Sequence, residues 1–136
     1  MGDLTANFST DEFRCKCGCG EVMVSRDLVE GLQVLRNLAN APIRVLSAFR
    51  CRKHNAEIGG SDDSQHPKGK ASDIEIVGKS LKEMFSLAEM VPVFKGGGIG
   101  LYPDNGFIHV DARGKTARWA RIIGKYVGIE KALEVL

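Results

Sequence analysis

A chain of 136 residues, 43% hydrophobic and 26% charged, is long enough to bury one apolar core and has the make-up of a single globular domain over 1–136. Nineteen basic against seventeen acidic residues leave a formal net charge of +2, too balanced for nucleic acid to be the main partner. No apolar run reaches the roughly 18–20 residues that cross a bilayer, which argues against membrane insertion.

In chain order, Phe8 to Phe13 reads as a short turn capped by Ser9 or Thr10. Ser25 to Asn40 carries Leu28, Leu32, Leu35 and Leu38 at three- and four-residue intervals, which predicts an amphipathic helix capped by Ser25. Ile43 to Ser47 is a β-prone run after Pro42, and Arg52 to Ile58 predicts a helical turn ended by Gly59-Gly60. The polar, glycine-bearing stretch from Gly59 to Lys70 is a loop that delivers His66. Ala71 to Val77 alternates as a strand with Asp73 near its start, and Ser80 to Met90 reads as a helix. Gly96 to Tyr102 and Gly106 to Arg113 predict two strands joined by a turn at Pro103-Asp104-Asn105. A last helix is expected from Thr116 to Val127, and there is no internal repeat.

The chemistry concentrates in Ser64-x-His66-x-x-Gly69-x-Ala71-x-Asp73 and, much later, His109-x-Asp111. Two imidazoles and a carboxylate suit a catalytic zinc ion with its fourth position left to water; manganese or cobalt could take the same ligands. On an extended strand Phe107, His109 and Asp111 share one face, while Ile108 and Val110 share the other. Asp111 can therefore orient a ligand, bind a substrate amine or move a proton beside His109.

These residues resemble the zinc D-alanyl-D-alanine carboxypeptidase family, which includes D,D-dipeptidases of vancomycin resistance and phage endolysins. Most of the chain takes part, through Phe8-Ser9-x-x-Glu12-Phe13, Leu46-Ser47-Ala48-Phe49-Arg50, His54-Asn55, Gly59-Gly60 and Gly97-Gly98-Ile99-Gly100. The resemblance implies a small α+β domain of the hedgehog-related kind, an antiparallel sheet with helices packed against it. It further implies one zinc ion held by His66, Asp73 and His109, with Arg50 binding a substrate carboxylate or stabilising an oxyanion.

One departure concerns the general base. Where family members place an acidic residue or a histidine shortly before the second zinc histidine, this chain has Gly106 and Phe107, neither able to move a proton. Asp104, in the preceding turn, and Asp111 are the catalytic candidates, with water and zinc acting beside some other group as the remaining option.

Simpler readings stand beside these. Ser64 either caps its loop or contacts substrate; Gly69 and Ala71 serve close packing; His54 supports a helix end; Trp119 belongs to the core. Cys15-x-Cys17-x-Cys19, with the distant Cys51, allows a structural metal site, a disulfide from Cys51 to the cluster, or free thiols.

The function expected is zinc-dependent hydrolysis of a peptide bond next to a D-amino acid in peptidoglycan stem peptides or cross-links. An open cleft on so short a chain favours endopeptidase over carboxypeptidase action, by a monomer. The alternative is a non-catalytic, zinc-containing wall-binding or structural module. Met1 to Asn7 has neither the basic region nor the apolar stretch of a secretory signal. Cytoplasmic synthesis is therefore expected, with action at the cell wall after phage-type release or trimming of an export signal.

Overall fold

The computed structural model describes residues 2–61 and 63–136; Met1 in the opening segment and Asp62 in the His66 loop lie outside it. Among the described residues there are five α-helices and a six-stranded sheet, with four of the helices packed on one face of the sheet, the α+β arrangement expected. The helices are α1 (Arg26–Ala39), α2 (Arg52–Glu57), α3 (Leu81–Glu89), α4 (Pro92–Lys95) and α5 (Ile129–Val135). The strands are β1 (Ile43–Ser47), β2 (Ala71–Ile76), β3 (Gly98–Tyr102), β4 (Phe107–Asp111), β5 (Ala117–Ile122) and β6 (Lys125–Val127), in spatial order β1-β2-β4-β3-β5-β6.

Local signals set most boundaries. Ser25 Oγ accepts the Leu28 amide at 3.1 Å to start α1, and Asn40 ends it in the left-handed conformation, φ 49°. The buried stripe runs Leu28, Leu32, Leu35, Ala39, so Leu38 falls off the predicted face and is 42% exposed. Ser80 and Glu83 exchange side-chain and backbone hydrogen bonds at the start of α3, a capping box. At the N-terminal turn, Glu12 accepts the Ser9 amide at 2.7 Å.

Two findings differ from the sequence reading. The segment from Thr116 to Val127 is not a helix but β5 and β6, joined at Ile123-Gly124. Both turn residues have positive φ, 52° and 71°, the signature of a type I′ hairpin. The Asp104 carboxylate accepts the Ile123 and Gly124 amides at 3.1 and 3.3 Å, which holds β-branched Ile123 in a conformation such residues rarely adopt. Further, β5 runs parallel to β3, so the sheet is mixed; all its other pairings are antiparallel.

Strand alternation divides the sheet. Ile74 and Ile76, Ile99 and Leu101, Ile108 and Val110, and Ala120 are buried against α1, α3, α4 and α5. Burying those side chains drives the layers together, at about 25 cal/mol for each Å² of apolar surface removed from water. The opposite face carries the polar chemistry, supported from below by that core.

Candidate active site

On the face away from the helices, cross-strand pairing lines up Asp73, His109, Gly100 and Trp119 from β2, β4, β3 and β5 in one row. Register therefore brings Asp73 and His109 together although they lie 36 residues apart. His66 comes from a single 3-10 turn (His66–Lys68), closed by Gly69 at φ 70°. A side chain at Gly69 would collide with the Met23 backbone, 2.7 Å from its Cβ position, so this glycine is needed both for conformation and for space. Ser64 Oγ accepts the His66 amide at 3.2 Å and thus caps the turn.

Suitable ligand atoms of His66, Asp73 and His109 all lie within 4.8 Å of one another, and all three residues are buried. The hydrogen bonds around them set the tautomers. His66 Nδ1 lies 2.6 Å from the Ala48 carbonyl, which only accepts, so the proton sits on Nδ1 and the lone pair on Nε2. His109 Nε2 lies 2.7 Å from Asp111 Oδ2, which fixes its proton there and leaves the lone pair on Nδ1. Both lone pairs then aim at Asp73 Oδ1, from 3.4 and 3.1 Å. Two lone pairs facing a carboxylate require a cation among them, either a proton or a metal ion. This donor set fits a zinc ion held by His66 Nε2, His109 Nδ1 and Asp73.

The electrostatics follow from this geometry. Burial would raise the Asp73 carboxyl, but the hydrogen bonds and charges of His109 and His66 hold it well below the ordinary carboxylate range. Burial likewise opposes the charged forms of Asp111 and His109. Their mutual hydrogen bond, with Arg113 on Asp111 and Asp73 on His109, nevertheless lowers Asp111 strongly and raises His109.

Asp111 is fully buried beneath His109 rather than in the open cleft. Its oxygens accept from His109 Nε2, the Gly98 amide at 2.8 Å and the Arg113 side chain at 2.7–3.0 Å, a carboxylate–histidine arrangement that fixes the orientation of the imidazole. Asp104 is exposed and engaged at the β5–β6 turn. The glycines of β3 now have a reason. A Cβ on Gly98 would fall 2.3 Å from Asp111 Oδ2, and one on Gly100 would fall 2.5 Å from the Trp119 indole. Both side chains lie across the strand because glycine leaves the space.

A cleft of about 420 Å³ opens over His66, Asp73 and His109. Its walls include Arg50, Ser64, Tyr102, Phe107, Arg113, Trp119, Arg121 and Tyr126. Arg50 donates to Asn55 Oδ1 at 3.1 Å and to Asp73 Oδ2 at 3.4 Å, so the guanidinium stands beside the His-Asp-His cluster. Buried Asn55 also donates to the Ser61 carbonyl at 3.0 Å, linking Arg50 to the His66 loop. Sequence reasoning passed over Asn55, although His54-Asn55 matched the family, and Arg113, whose role depends on a carboxylate two residues away. It also placed Trp119 in the core. The half-buried indole instead packs on His109, ring centroids 4.9 Å apart, donates to Tyr102 Oη at 2.9 Å and lies under the Arg113 guanidinium.

An α+β domain with a His-Asp-His cluster under an open cleft is an arrangement suited to hydrolysis assisted by a single metal ion. A family model described as Peptidase M15 matches residues 6–111, and the chain belongs to that peptidase family. It is 38% identical over 93 residues to a probable peptidoglycan L,D-endopeptidase, MepK, of Haemophilus influenzae, a match covering 65% of this chain and 48% of the relative. The chain thus spans about half the length of that curated relative.

Proposed function

We propose that this domain is a zinc-dependent peptidase that cleaves a peptide bond next to a D-amino acid in peptidoglycan, as an endopeptidase acting as a monomer. The observation that carries the reading is the convergence of two histidine lone pairs on Asp73 at the floor of an open cleft. The name of the H. influenzae relative supports a peptidoglycan substrate, and the cleft suits a chain passing through it. His66, Asp73 and His109 would hold a zinc ion, which when bound would supply a Lewis acid and lower the pKa of a water molecule.

The protein's own groups do the rest. Arg50, steadied by Asn55 and Asp73, presents a guanidinium to the carbonyl oxygen as negative charge develops on it, or to a substrate carboxylate. Ser64 on the cleft wall offers its hydroxyl hydrogen to substrate while its oxygen caps His66. Asp111 orients His109 and holds a proton on Nε2, so that Nδ1 is the nitrogen turned to the site. With Asp111 and Asp104 both engaged elsewhere, Asp63 is the carboxylate besides Asp73 on the cleft wall among the described residues, and we take it as the proton acceptor to test.

The absence of a proton-moving side chain at Gly106 and Phe107 favours one competing reading, a zinc-bearing wall-binding or structural module without turnover. Incubating the zinc-loaded protein with intact peptidoglycan separates the two. Mass spectrometry should find newly cut stem peptides or cross-links, and none with His66→Ala. Binding without new products would leave the module. If Asp63 is the acceptor, Asp63→Asn lowers kcat by about 10²–10⁴-fold with zinc content unchanged; an unchanged kcat clears it of that role.

A further inference from the structure

The four cysteines lie outside the cleft, and the reaction gives them no part. Yet Cys15, Cys17, Cys19 and Cys51 bring one sulfur each to within 4.8 Å of the others. The contacts are 3.4 Å from Cys15 to Cys17 and 3.7 Å from Cys17 to Cys51. Around a tetrahedral zinc ion with bonds of about 2.3 Å, ligand sulfurs stand roughly 3.8 Å apart. We propose that these four thiolates bind a second, structural zinc ion, which ties the N-terminal segment to the strand-to-helix corner bearing Arg50.

The loop is built for convergence. Single-residue spacing would throw alternate side chains of an extended chain to one side in a line, too spread for a single ion. Gly18 and Gly20 instead adopt φ of 89° and 80°, and nothing lies within 4 Å of where a Cβ would stand on either. Glycine is needed there for the backbone bend, not for space. The bend is closed by the Cys15 amide on the Glu21 carbonyl at 2.9 Å and by Arg14 on the Gly20 carbonyl at 2.7 Å.

Backbone amides also point at the sulfurs: Cys51 N at Cys15, Glu21 N at Cys19 and His54 N at Cys51, all at 3.3–3.4 Å. Such donors stabilise sulfur carrying negative charge, the form that binds metal. A disulfide joins two thiols and gives no reason for four to meet at one point. A multi-iron cluster would hold thiolates on separate irons further apart than these. The tie reaches the active site through the chain itself. Cys51 follows Arg50 directly, and the Phe49 amide bonds the Phe13 carbonyl at 3.1 Å, so both segments are already in register when the ion binds.

Metal analysis of protein purified under reducing conditions tests this independently of the hydrolytic reading. The His66→Ala/His109→Ala variant, which lacks the first site, should still hold one equivalent of zinc. Replaced by cobalt, that equivalent should give intense thiolate-to-metal charge-transfer absorption in the near ultraviolet. Cys17→Ser/Cys19→Ser should lose this equivalent and the absorption while keeping the His66 site's zinc. If the histidine variant binds no zinc or cobalt and its four thiols all react with Ellman's reagent, the proposal is overturned. Iron in place of zinc, or a mass showing hydrogen lost to disulfides, overturns it as well.

Discussion

The two nitrogens of His109 have opposite tasks, and Asp111 decides which is which. By accepting from Nε2 at 2.7 Å while Arg113 and Gly98 occupy its other acceptor positions, Asp111 fixes the tautomer that presents Nδ1 to the site. Partners of this kind cost about 10–100-fold in metal affinity or activity when removed. Asp111→Asn should therefore weaken zinc binding by about that factor, measured by competition with a chromophoric chelator, with activity partly restored at high zinc. Asp104→Ala should behave differently: it should lower the melting temperature, by about 1 kcal/mol of stability, and leave zinc affinity unchanged, because its bonds go to the β5–β6 turn. A wild-type melting curve with a large loss of kcat for Asp104→Ala would restore Asp104 as the proton-transfer group. On the sequence, Asp104 and Asp111 were equivalent, since neither strand alternation nor spacing reveals what each carboxylate touches. The meeting of His66, Asp73 and His109 was readable because residue type and order marked the three as one group.

At the scale of elements, the strands that carry Asp73 and His109 announced themselves and the strand pair that walls the cleft through Trp119 and Tyr126 did not. Ala71 to Ile76 and Phe107 to Asp111 have apolar residues on one face, and burying that face fixes register, so Asp73 and His109 come opposite each other. The stretch around Ala117-Arg118-Trp119-Ala120-Arg121 is instead rich in good helix formers. Its strand form depends on β3, to which it pairs in parallel, and local propensity carries no trace of that non-local partner. With the helix reading went the true place of Trp119 and of Tyr126. The β5–β6 turn keeps a local mark of this override, since Ile123 occupies a left-handed position that favours asparagine or glycine. Ile123→Asn should relieve that conformation and raise the melting temperature, corresponding to about 1 kcal/mol, without altering metal content. A lower melting temperature would mean that the 84% exposed side chain makes contacts that outweigh the backbone cost.

For the whole molecule, a buried polar cluster resting on an apolar sheet makes stability depend on pH and metal together. Asp73 and Asp111 are held below their ordinary value of 3.8, so the stability they contribute is present above that pH and is lost as pH falls through and below it. His109 has the opposite sign. Its value is raised above the ordinary 6.5, so in the metal-free protein its contribution is full below 6.5 and is lost as pH rises through the raised value. Zinc binding runs against this second trend, because Nδ1 must give up its proton before it can coordinate. Melting curves with a chelator and with excess zinc should thus lie close together in mild acid and separate progressively as pH rises through and above 6.5. Only the part of the separation lost in His66→Ala belongs to this site, which keeps the cysteine site from confusing the measurement. A zinc-dependent shift of constant size across that range would mean that His109 Nδ1 does not exchange a proton for metal. The ligand set drawn from His66, Asp73 and His109 would then have to be abandoned.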